Sequence, residues 1–457
     1  MTRPPTAMTL AALPWLLLAL PLPPAPAAAG GREMLADSSF VESWALGNGL
    51  RVLTRDIPGC RAVSITVGYG TGTSADPPGN EGLAMLLAEV AFTAPAGEIP
   101  ARTREEMESL RPLGWSLKVS QRATLLSEVA SPEQAPGALR QIATRMRGVT
   151  VTGEVLAAAI ATVRRDLGQH FMGAADQALY YQVRELGAHG DDATTLRLAS
   201  GGGFDWLTAE QVQERLDRLY VPANAVLGLA GDLSGLNLHL LLESEFGSIP
   251  PGAVQAEPPA APLTSHSRAM QREGLAGPQG VVGLIAPAIT DSLHPSFYLN
   301  LLLLGSHVTS LWNRPGNRPA PRFQYSIFDD PELARFYPPV GKNETSPGAL
   351  GTALANALDV LQSMTVSRDT YDELRDNVAW LLGGPMSRAV RGRVLTDSGA
   401  LNLISTSVAS RGLWGGEEFW SGYLARIQSL APGGINRWAP YFVTPENQVR
   451  LLFTPRK

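Results

Sequence analysis

The amino-acid sequence predicts an α+β protein with two units of similar element order. Strand-like and helix-like segments are mixed along the 457 residues, without the regular strand–helix–strand alternation of a parallel α/β sheet. The order of the segments in the first half is repeated in the second half. Between the halves, GSIPPGAVQAEPPAAP at 247–262 contains five prolines, which neither a helix interior nor a central strand accommodates. We therefore expect a domain at 33–247, a proline-rich linker at 248–264 and a duplicated domain at 265–457.

The elements of the first unit follow from local patterns. A turn at Asn48-Gly49 precedes a strand that ends at Asp56, and a β-branched run at 61–69 favours a second strand. Apolar residues at nearly every position of 83–92 indicate a helix buried on most sides. The remaining predicted elements are a strand at 123–129, a helix at 135–147, a helical stretch at 152–186 that is either continuous or broken near Gly173, a helix at 207–219 and a strand at 224–230.

The second unit shows a similar succession. A strand at 280–286 is followed by a long apolar helix at 295–312 and by a strand at 323–328. Helices at 350–364 and 367–382 come next, and a strand at 448–453 closes the chain. This repetition of element order indicates duplication of one α+β domain.

The first 29 residues have the composition of a secretory signal peptide. Arg3 gives a positive start, an apolar run occupies 10–22, and Ala27–Ala29 offers small residues for cleavage. The apolar run is interrupted by prolines and is shorter than the ~20 residues of a transmembrane helix, so a retained anchor is the less favoured alternative. High Ala, Gly, Pro and Arg usage suggests a bacterial source. We expect an exported protein of the periplasm or the extracellular space.

Charge and cysteine content exclude several classes of function. The net charge of -5 and the absence of a basic run argue against a nucleic-acid partner. Cys60 is the single cysteine, which excludes an intrachain disulfide and a cysteine-based metal cluster. The six histidines show no two-histidine metal spacing, and the sequence contains no GxSxG elbow and no phosphate-binding loop. Hydrolase, nucleotide-binding and nucleic-acid functions of these kinds therefore have little support.

Several motifs together resemble the pitrilysin/insulinase family of zinc metallopeptidases, which includes mitochondrial processing peptidase. The motifs are NGLRVL at 48–53, SITVGYGTGTSAD at 64–76, GLAMLLAEVAF at 82–92, FDWLTAEQVQERLDRLYVPANAVLGLAGDL at 204–233 and FGSIPPG at 246–252. Their order and spacing match the family over nearly the whole mature chain. The resemblance implies two homologous pitrilysin-like domains, each a mixed, mostly antiparallel sheet packed with helices.

In the register of this resemblance the zinc motif is degenerate. The family's two zinc histidines fall on Met85 and Glu89, its general-base glutamate on Ala88, and its third ligand, a glutamate on a later helix, on Arg164. Two histidines one helical turn apart would bind zinc, with the glutamate activating a water, whereas a guanidinium cannot be deprotonated to serve as a ligand. We therefore expect no cofactor in this chain.

The remaining polar groups at this position favour an ion pair over a metal site. Glu89 with Asp166 would be at best a weak site for a hard cation, because no imidazole is present. Met85 and Ala88 are expected in the core of a buried helix. Glu89 is expected to pair with Arg164 or Arg165.

The second half contains a stretch that resembles the family's substrate-binding motif. In SLWNRPGNRPAPRFQYS at 310–326, Arg318 and Tyr325 match an arginine and a tyrosine that bind the substrate carbonyl and stabilise the tetrahedral intermediate in the family. Prolines in the stretch leave Arg314 and Arg322 as alternatives to Arg318. The alternative without function is a loop arginine and an ordinary strand tyrosine.

The resemblance implies a non-catalytic subunit. In heterodimers of this family, one subunit binds zinc and the other supplies the arginine and tyrosine across a closed chamber. We therefore expect a zinc-bearing pitrilysin-family partner and a peptide substrate. The alternative is a structural or peptide-binding scaffold of the same fold that has no part in catalysis.

Overall fold

The computed structural model describes residues 41–190, 193–253, 262–312, 322–328, 332–363, 367–384, 386, 388–431 and 444–456. The predicted signal peptide at 1–29, part of the predicted linker, and both Arg314 and Arg318 lie outside the described residues. Within those ranges the predicted α+β class is confirmed, because helices pack on two mixed sheets.

The strands are β1 (Val41–Ala45), β2 (Arg51–Asp56), β3 (Val63–Tyr69), β4 (Trp115–Val119), β5 (Thr124–Ala130), β6 (Ala225–Gly231), β7 (His266–Arg272), β8 (Gln279–Ile285), β9 (Arg322–Gln324), β10 (Leu333–Tyr337) and β11 (Gln448–Pro455).

The helices are α1 (Leu83–Thr93), α2 (Arg104–Leu110), α3 (Ala135–Arg147), α4 (Gly153–Met172), α5 (Ala175–His189), α6 (Ala193–Ala199), α7 (Ala209–Leu219), α8 (Leu238–Phe246), α9 (His294–Trp312), α10 (Gly348–Ser363), α11 (Arg368–Leu381), α12 (Arg388–Thr396), α13 (Ser398–Leu413) and α14 (Gly416–Ser429).

The two sheets share one strand arrangement. The first has the order β1-β2-β6-β3-β5-β4 and the second the order β7-β11-β8-β10-β9. In each, the last strand of the half pairs in parallel with an early strand, β6 with β2 and β11 with β7. The other described strand pairs are antiparallel. Apart from the additional edge strand β1, the second sheet thus repeats the first, as expected of a duplicated domain.

A helix from each half packs on the sheet of the other half. Helix α13 lies across β2, β3 and β6 of the first sheet, and α5 packs on β8 and β11 of the second. The approach of α13 is close, because a Cβ atom on Gly228 of β6 would lie 2.6 Å from the Ser405 carbonyl oxygen. Hydroxyl groups line the same contact, where Ser405 Oγ lies 2.7 Å from both Ser64 Oγ and Thr66 Oγ1. The halves are therefore joined by a closely packed, largely apolar surface that includes this group of hydroxyls.

Most predicted elements occur in the structure, with one break and one shortening. The helical stretch at 152–186 is two helices, α4 and α5, separated at Gly173. The strand predicted at 323–328 is wrong beyond Gln324, because only β9 joins the sheet. Beyond it, the side chains of Tyr325, Ile327 and Phe328 are buried in the second core, so this segment packs inward and leaves the sheet. No helix of the described ranges combines the length and apolarity needed to cross a membrane.

Candidate functional site

Helix α1 is fixed at its start by an acidic side chain and a glycine. The Asp76 carboxylate accepts hydrogen bonds from the backbone N–H groups of Gly82 at 2.8 Å and Ala84 at 2.7 Å. Gly82 has a φ of 91°, and a Cβ atom there would lie 3.1 Å from the Phe204 ring. A glycine is therefore required where the chain enters the helix.

The degenerate positions on α1 carry core side chains. Ala88 is fully buried, and Met85 is half-buried against the core of the first half. Neither side chain provides a donor for zinc or a base for a water molecule. Glu89 is the one acidic residue of the helix and is also buried.

The partner of Glu89 is Arg104, so the predicted pairing with Arg164 or Arg165 is wrong. Arg104 Nη2 lies 2.6 Å and its Nε 3.1 Å from Glu89 Oε2. Its remaining terminal nitrogen, Nη1, lies 2.7 Å from Asp166 Oδ2. One guanidinium at the first residue of α2 thus bridges a carboxylate on α1 and a carboxylate on α4.

The geometry of α4 explains why the neighbouring arginines do not take this place. Val163 and Leu167 are buried, and Asp166 lies on the same side of the helix, toward α1. Arg164 and Arg165 are rotated away from that side. Arg164 instead pairs with Asp205, and Arg165 is exposed, with its guanidinium 3.5 Å from Thr162 Oγ1.

The electrostatics of the bridge favour a retained charge on Arg104. Burial lowers the pKa of Arg104, but the carboxylates of Glu89 and Asp166 outweigh burial and the net shift is upward. Burial raises the pKa of Glu89, and Arg104 opposes that rise. The guanidinium donates hydrogen bonds to the carboxylate oxygens that a metal ion would need as ligands.

These residues do not fit the zinc ion of the resembled family. Among the residues that the structure describes, no group of three or more His, Cys, Asp or Glu side chains is placed to hold a metal ion. The position also has none of the imidazole ligands of a catalytic zinc site, because Met85 and Glu89 replace both histidines.

A stack of aromatic rings leads from this position to the second half. His170, one turn after Asp166 on α4, stacks on Tyr181 of α5 with ring centroids 4.3 Å apart. Tyr180 meets Tyr181 edge to face at 5.0 Å, and the Arg335 guanidinium lies 3.8 Å from the Tyr180 ring centroid. The degenerate position is thus packed continuously against β10. No pattern in the sequence predicted these contacts.

Strand β4 forms an edge of the first sheet beside α1. Trp115 stacks on Phe92 of α1 with ring centroids 4.9 Å apart. β4 pairs with β5, and no other described strand pairs with its outer edge. Such an edge presents backbone donors and acceptors to an incoming extended chain. The site therefore combines a degenerate metal position with an adjacent open sheet edge.

Tyr325 is held inside the second core. Its hydroxyl lies 2.5 Å from His294 Nε2, and His294 Nδ1 lies 2.6 Å from the Tyr423 hydroxyl. Only 6% of Tyr325 is exposed, and His294 is fully buried. Burial lowers the pKa of His294 to about 3, and the charge of Arg426 adds to this effect. The imidazole is therefore neutral between two phenols.

Of the three candidate arginines, only Arg322 lies in the described part of the chain. It begins β9 and is exposed. Its guanidinium lies 3.6 Å from Asp176 and 5.0 Å from the centre of the Tyr337 ring. Arg322 is therefore engaged between α5 and the second sheet.

Comparisons with known proteins match part of the sequence to one family model. Residues 207–314 match the family model described as the peptidase M16 inactive domain. No curated protein matches the sequence.

Solved structures are similar along both halves. A protease from Helicobacter pylori is 14% identical with a TM-score of 0.72, over 91% of this chain and 99% of that chain. The periplasmic protease PqqL from Escherichia coli is 14% identical with a TM-score of 0.64, over 93% of this chain and 48% of that chain. A chain of Complex III2 from Candida albicans is 13% identical with a TM-score of 0.67, over 91% and 96%. At these identities the likeness shows the fold.

Proposed function

We propose that this zinc-deficient pitrilysin-like chain is the non-catalytic subunit of an exported heteromeric peptidase. It binds an extended peptide in a chamber shared with a zinc-bearing subunit of the same family, and that partner hydrolyses the peptide bond. The observation that carries the proposal is the ion pair of Glu89 with Arg104, which fills the degenerate metal position where α1 packs on α4 and on the edge strand β4.

Peptide binding is assigned to the outer edge of β4. An added strand would gain main-chain hydrogen bonds from this edge, and side chains that alternate along the peptide would meet different surroundings. On one side of β4, Trp115 packs on Phe92. On the other side, Ser116 Oγ accepts a hydrogen bond from the Asn402 side chain at 3.3 Å. The edge therefore suits a peptide in which apolar and polar side chains alternate.

Arg318 and Tyr325 are the groups proposed to act on the substrate carbonyl in the partner's reaction. A guanidinium and a phenol can both donate hydrogen bonds to a developing oxyanion. When Nε2 of His294 carries the proton, His294 donates to the Tyr325 oxygen and the phenol remains a hydrogen-bond donor. A neutral imidazole at this place therefore suits the role.

The periplasmic or extracellular location belongs to the same proposal. Its support is the signal-like composition of residues 1–29, together with the similarity of fold to a protein described as a periplasmic protease. Fractionation of the producing cells, with amino-terminal sequencing of the mature chain, tests it. Cleavage before Gly30 is expected, whereas an intact amino terminus in the membrane fraction would support the retained anchor.

A scaffold without any role in catalysis is the second candidate. The burial of Tyr325 favours it, because a hydroxyl held within the core by His294 serves packing as well as chemistry. A chain of Complex III2 shares the fold. If the chain is a scaffold, the polar contacts in the core of the second half serve stability alone.

Hydrolysis of a peptide library by the mature chain with zinc, alone and mixed with a zinc-site homologue, separates the two candidates. The peptidase proposal predicts cleavage in the mixture and none by either subunit alone, with a loss of rate for Arg318→Ala and Tyr325→Phe. A cleavage rate that neither substitution changes, or no cleavage in the mixture, would favour the scaffold.

A further inference from the structure

We propose that the guanidinium of Arg104 is a built-in structural cation that takes the place of a metal ion in joining helices α1, α2 and α4. The proposal rests on the contacts within this chain and does not depend on the peptidase function. It concerns what stabilises the first half once the metal ligands are absent.

The geometry of the bridge resembles cation coordination by two carboxylates. Arg104 reaches Glu89 with two nitrogens and Asp166 with a third, at distances of 2.6 to 3.1 Å. The guanidinium has donors in a fixed planar fork, so a single group can serve two carboxylates on different helices. A lysine ammonium would offer a point charge without that fork.

Because its three side chains are largely buried, the bridge matters for the stability of the fold. The side chains of Glu89, Asp166 and Arg104 are 3%, 17% and 24% exposed. Two carboxylates so close together and so shielded from water repel each other unless a cation lies between them. This arrangement differs from an exposed surface pair, whose contribution to stability is small.

The cation is supplied by the element that leads into the edge strand β4. Helix α2 begins at Arg104, buries only Met107, and continues through a short turn into β4. Thr103 and Glu106 form a capping box at its start, which fixes the helix end that carries Arg104. The bridge therefore anchors a short polar helix that has little apolar contact of its own.

The test measures thermal unfolding of the full mature chain and four variants. Arg104→Met removes the cation and keeps the side-chain volume. Arg165→Met is the matched control, because it removes an exposed arginine from the same neighbourhood on α4. Glu89→Gln/Asp166→Asn removes both negative charges, and the triple variant combines this change with Arg104→Met.

A fall in Tm of about 5 °C or more is expected for Arg104→Met, with little change for Arg165→Met. The triple variant is expected to regain most of the loss, because no uncompensated carboxylate remains. Neither EDTA nor added zinc should change the Tm of the native chain. Equal Tm values for Arg104→Met and Arg165→Met, or a drop in the native Tm with EDTA, would overturn the proposal.

A second variant covers the case in which Arg104→Met does not fold. Arg104→Lys keeps the charge and loses the fork, and we expect faster amide hydrogen exchange at 104–110 than in Arg165→Lys. Unchanged exchange in this segment would show that Arg104 does not anchor α2 and would equally overturn the proposal.

Discussion

The Nε2 atom of His294 lies 2.5 Å from the hydroxyl oxygen of Tyr325, in the core of the second half. Its Nδ1 atom meets the hydroxyl of Tyr423, so one buried imidazole links two phenols from separate elements. A neutral imidazole has one donor and one acceptor nitrogen, which matches two hydroxyl partners. The contact gives His294 a definite protonation state and makes stability dependent on pH.

We expect the chain to lose stability below about pH 6.5 through His294. Burial lowers its pKa from 6.5 to about 3 in the folded chain. Between these values the unfolded chain binds a proton that the folded chain does not, so stability is complete above 6.5 and falls as the pH falls. The slope is at most about 1.4 kcal/mol per pH unit for this group. Urea unfolding between pH 7.5 and pH 4 measures it.

A matched pair of variants isolates this effect. His294→Gln cannot titrate, so its unfolding free energy should depend less on pH than that of the native chain. His239→Gln changes an exposed histidine and should keep the native pH dependence. An identical slope in the native chain and His294→Gln would show that other groups cause the loss.

Replacing the two phenols separates a structural from a substrate-binding role. Tyr325→Phe and Tyr423→Phe each remove one hydrogen bond to the same imidazole, so each should cost about 1 to 2 kcal/mol of unfolding free energy. In the proposed heteromeric peptidase, Tyr325→Phe alone should also lower kcat. Parallel losses of kcat in both variants would indicate that the effect is one of stability. Urea unfolding and steady-state kinetics on the same preparations supply both values.

Local sequence patterns predicted the buried helix of the first half and gave a break near Gly173 as one of two alternatives for 152–186, the one found between α4 and α5. The signal for the helix was the apolar residue at almost every position of α1, and the signal for the break was the glycine at 173. Helix α2 was not predicted, because it has a single buried apolar residue, Met107, and so no helical period of apolar positions. The partnership of Arg104 with Glu89 follows from this short helix and could not be obtained from spacing alone.

Two other omissions have different causes. Strand β4 did carry a signal, since Trp115, Leu117 and Val119 alternate with polar residues over five positions. Helix α13 carries Ser405 and Thr406, which bond across to the first sheet, so its buried face is only partly apolar. Its position over the sheet of the other half depends on tertiary packing, which no local pattern encodes.

Peptide binding at β4 should be visible in amide hydrogen exchange. Strand β1 provides an internal control, because it forms the opposite edge of the same sheet. If a peptide adds as a strand beside β4, backbone amides at 115–119 become hydrogen-bonded and exchange more slowly. We expect slower exchange there and no change at 41–45 when an unstructured peptide is added in excess. Protection of β1 alone, or of neither edge, would contradict the proposed binding place.

The contact between the two halves should be sensitive to a single methyl group at Gly228. A Cβ atom there would lie 2.6 Å from the Ser405 carbonyl oxygen and 2.8 Å from the Ala409 nitrogen, both backbone atoms of α13. The helix would have to move off the sheet, which would also lengthen the bonds of Ser405 to Ser64 and Thr66. We expect Gly228→Ala to lower the free energy of unfolding, measured in urea, by about 2 to 4 kcal/mol.

Gly235→Ala is the control, because a Cβ atom there meets nothing within 4 Å, and its free energy of unfolding should lie within about 1 kcal/mol of that of the native chain. Equal stability of the two variants would mean that α13 can shift without a cost in free energy, and that β6 and α13 are not closely packed at Gly228.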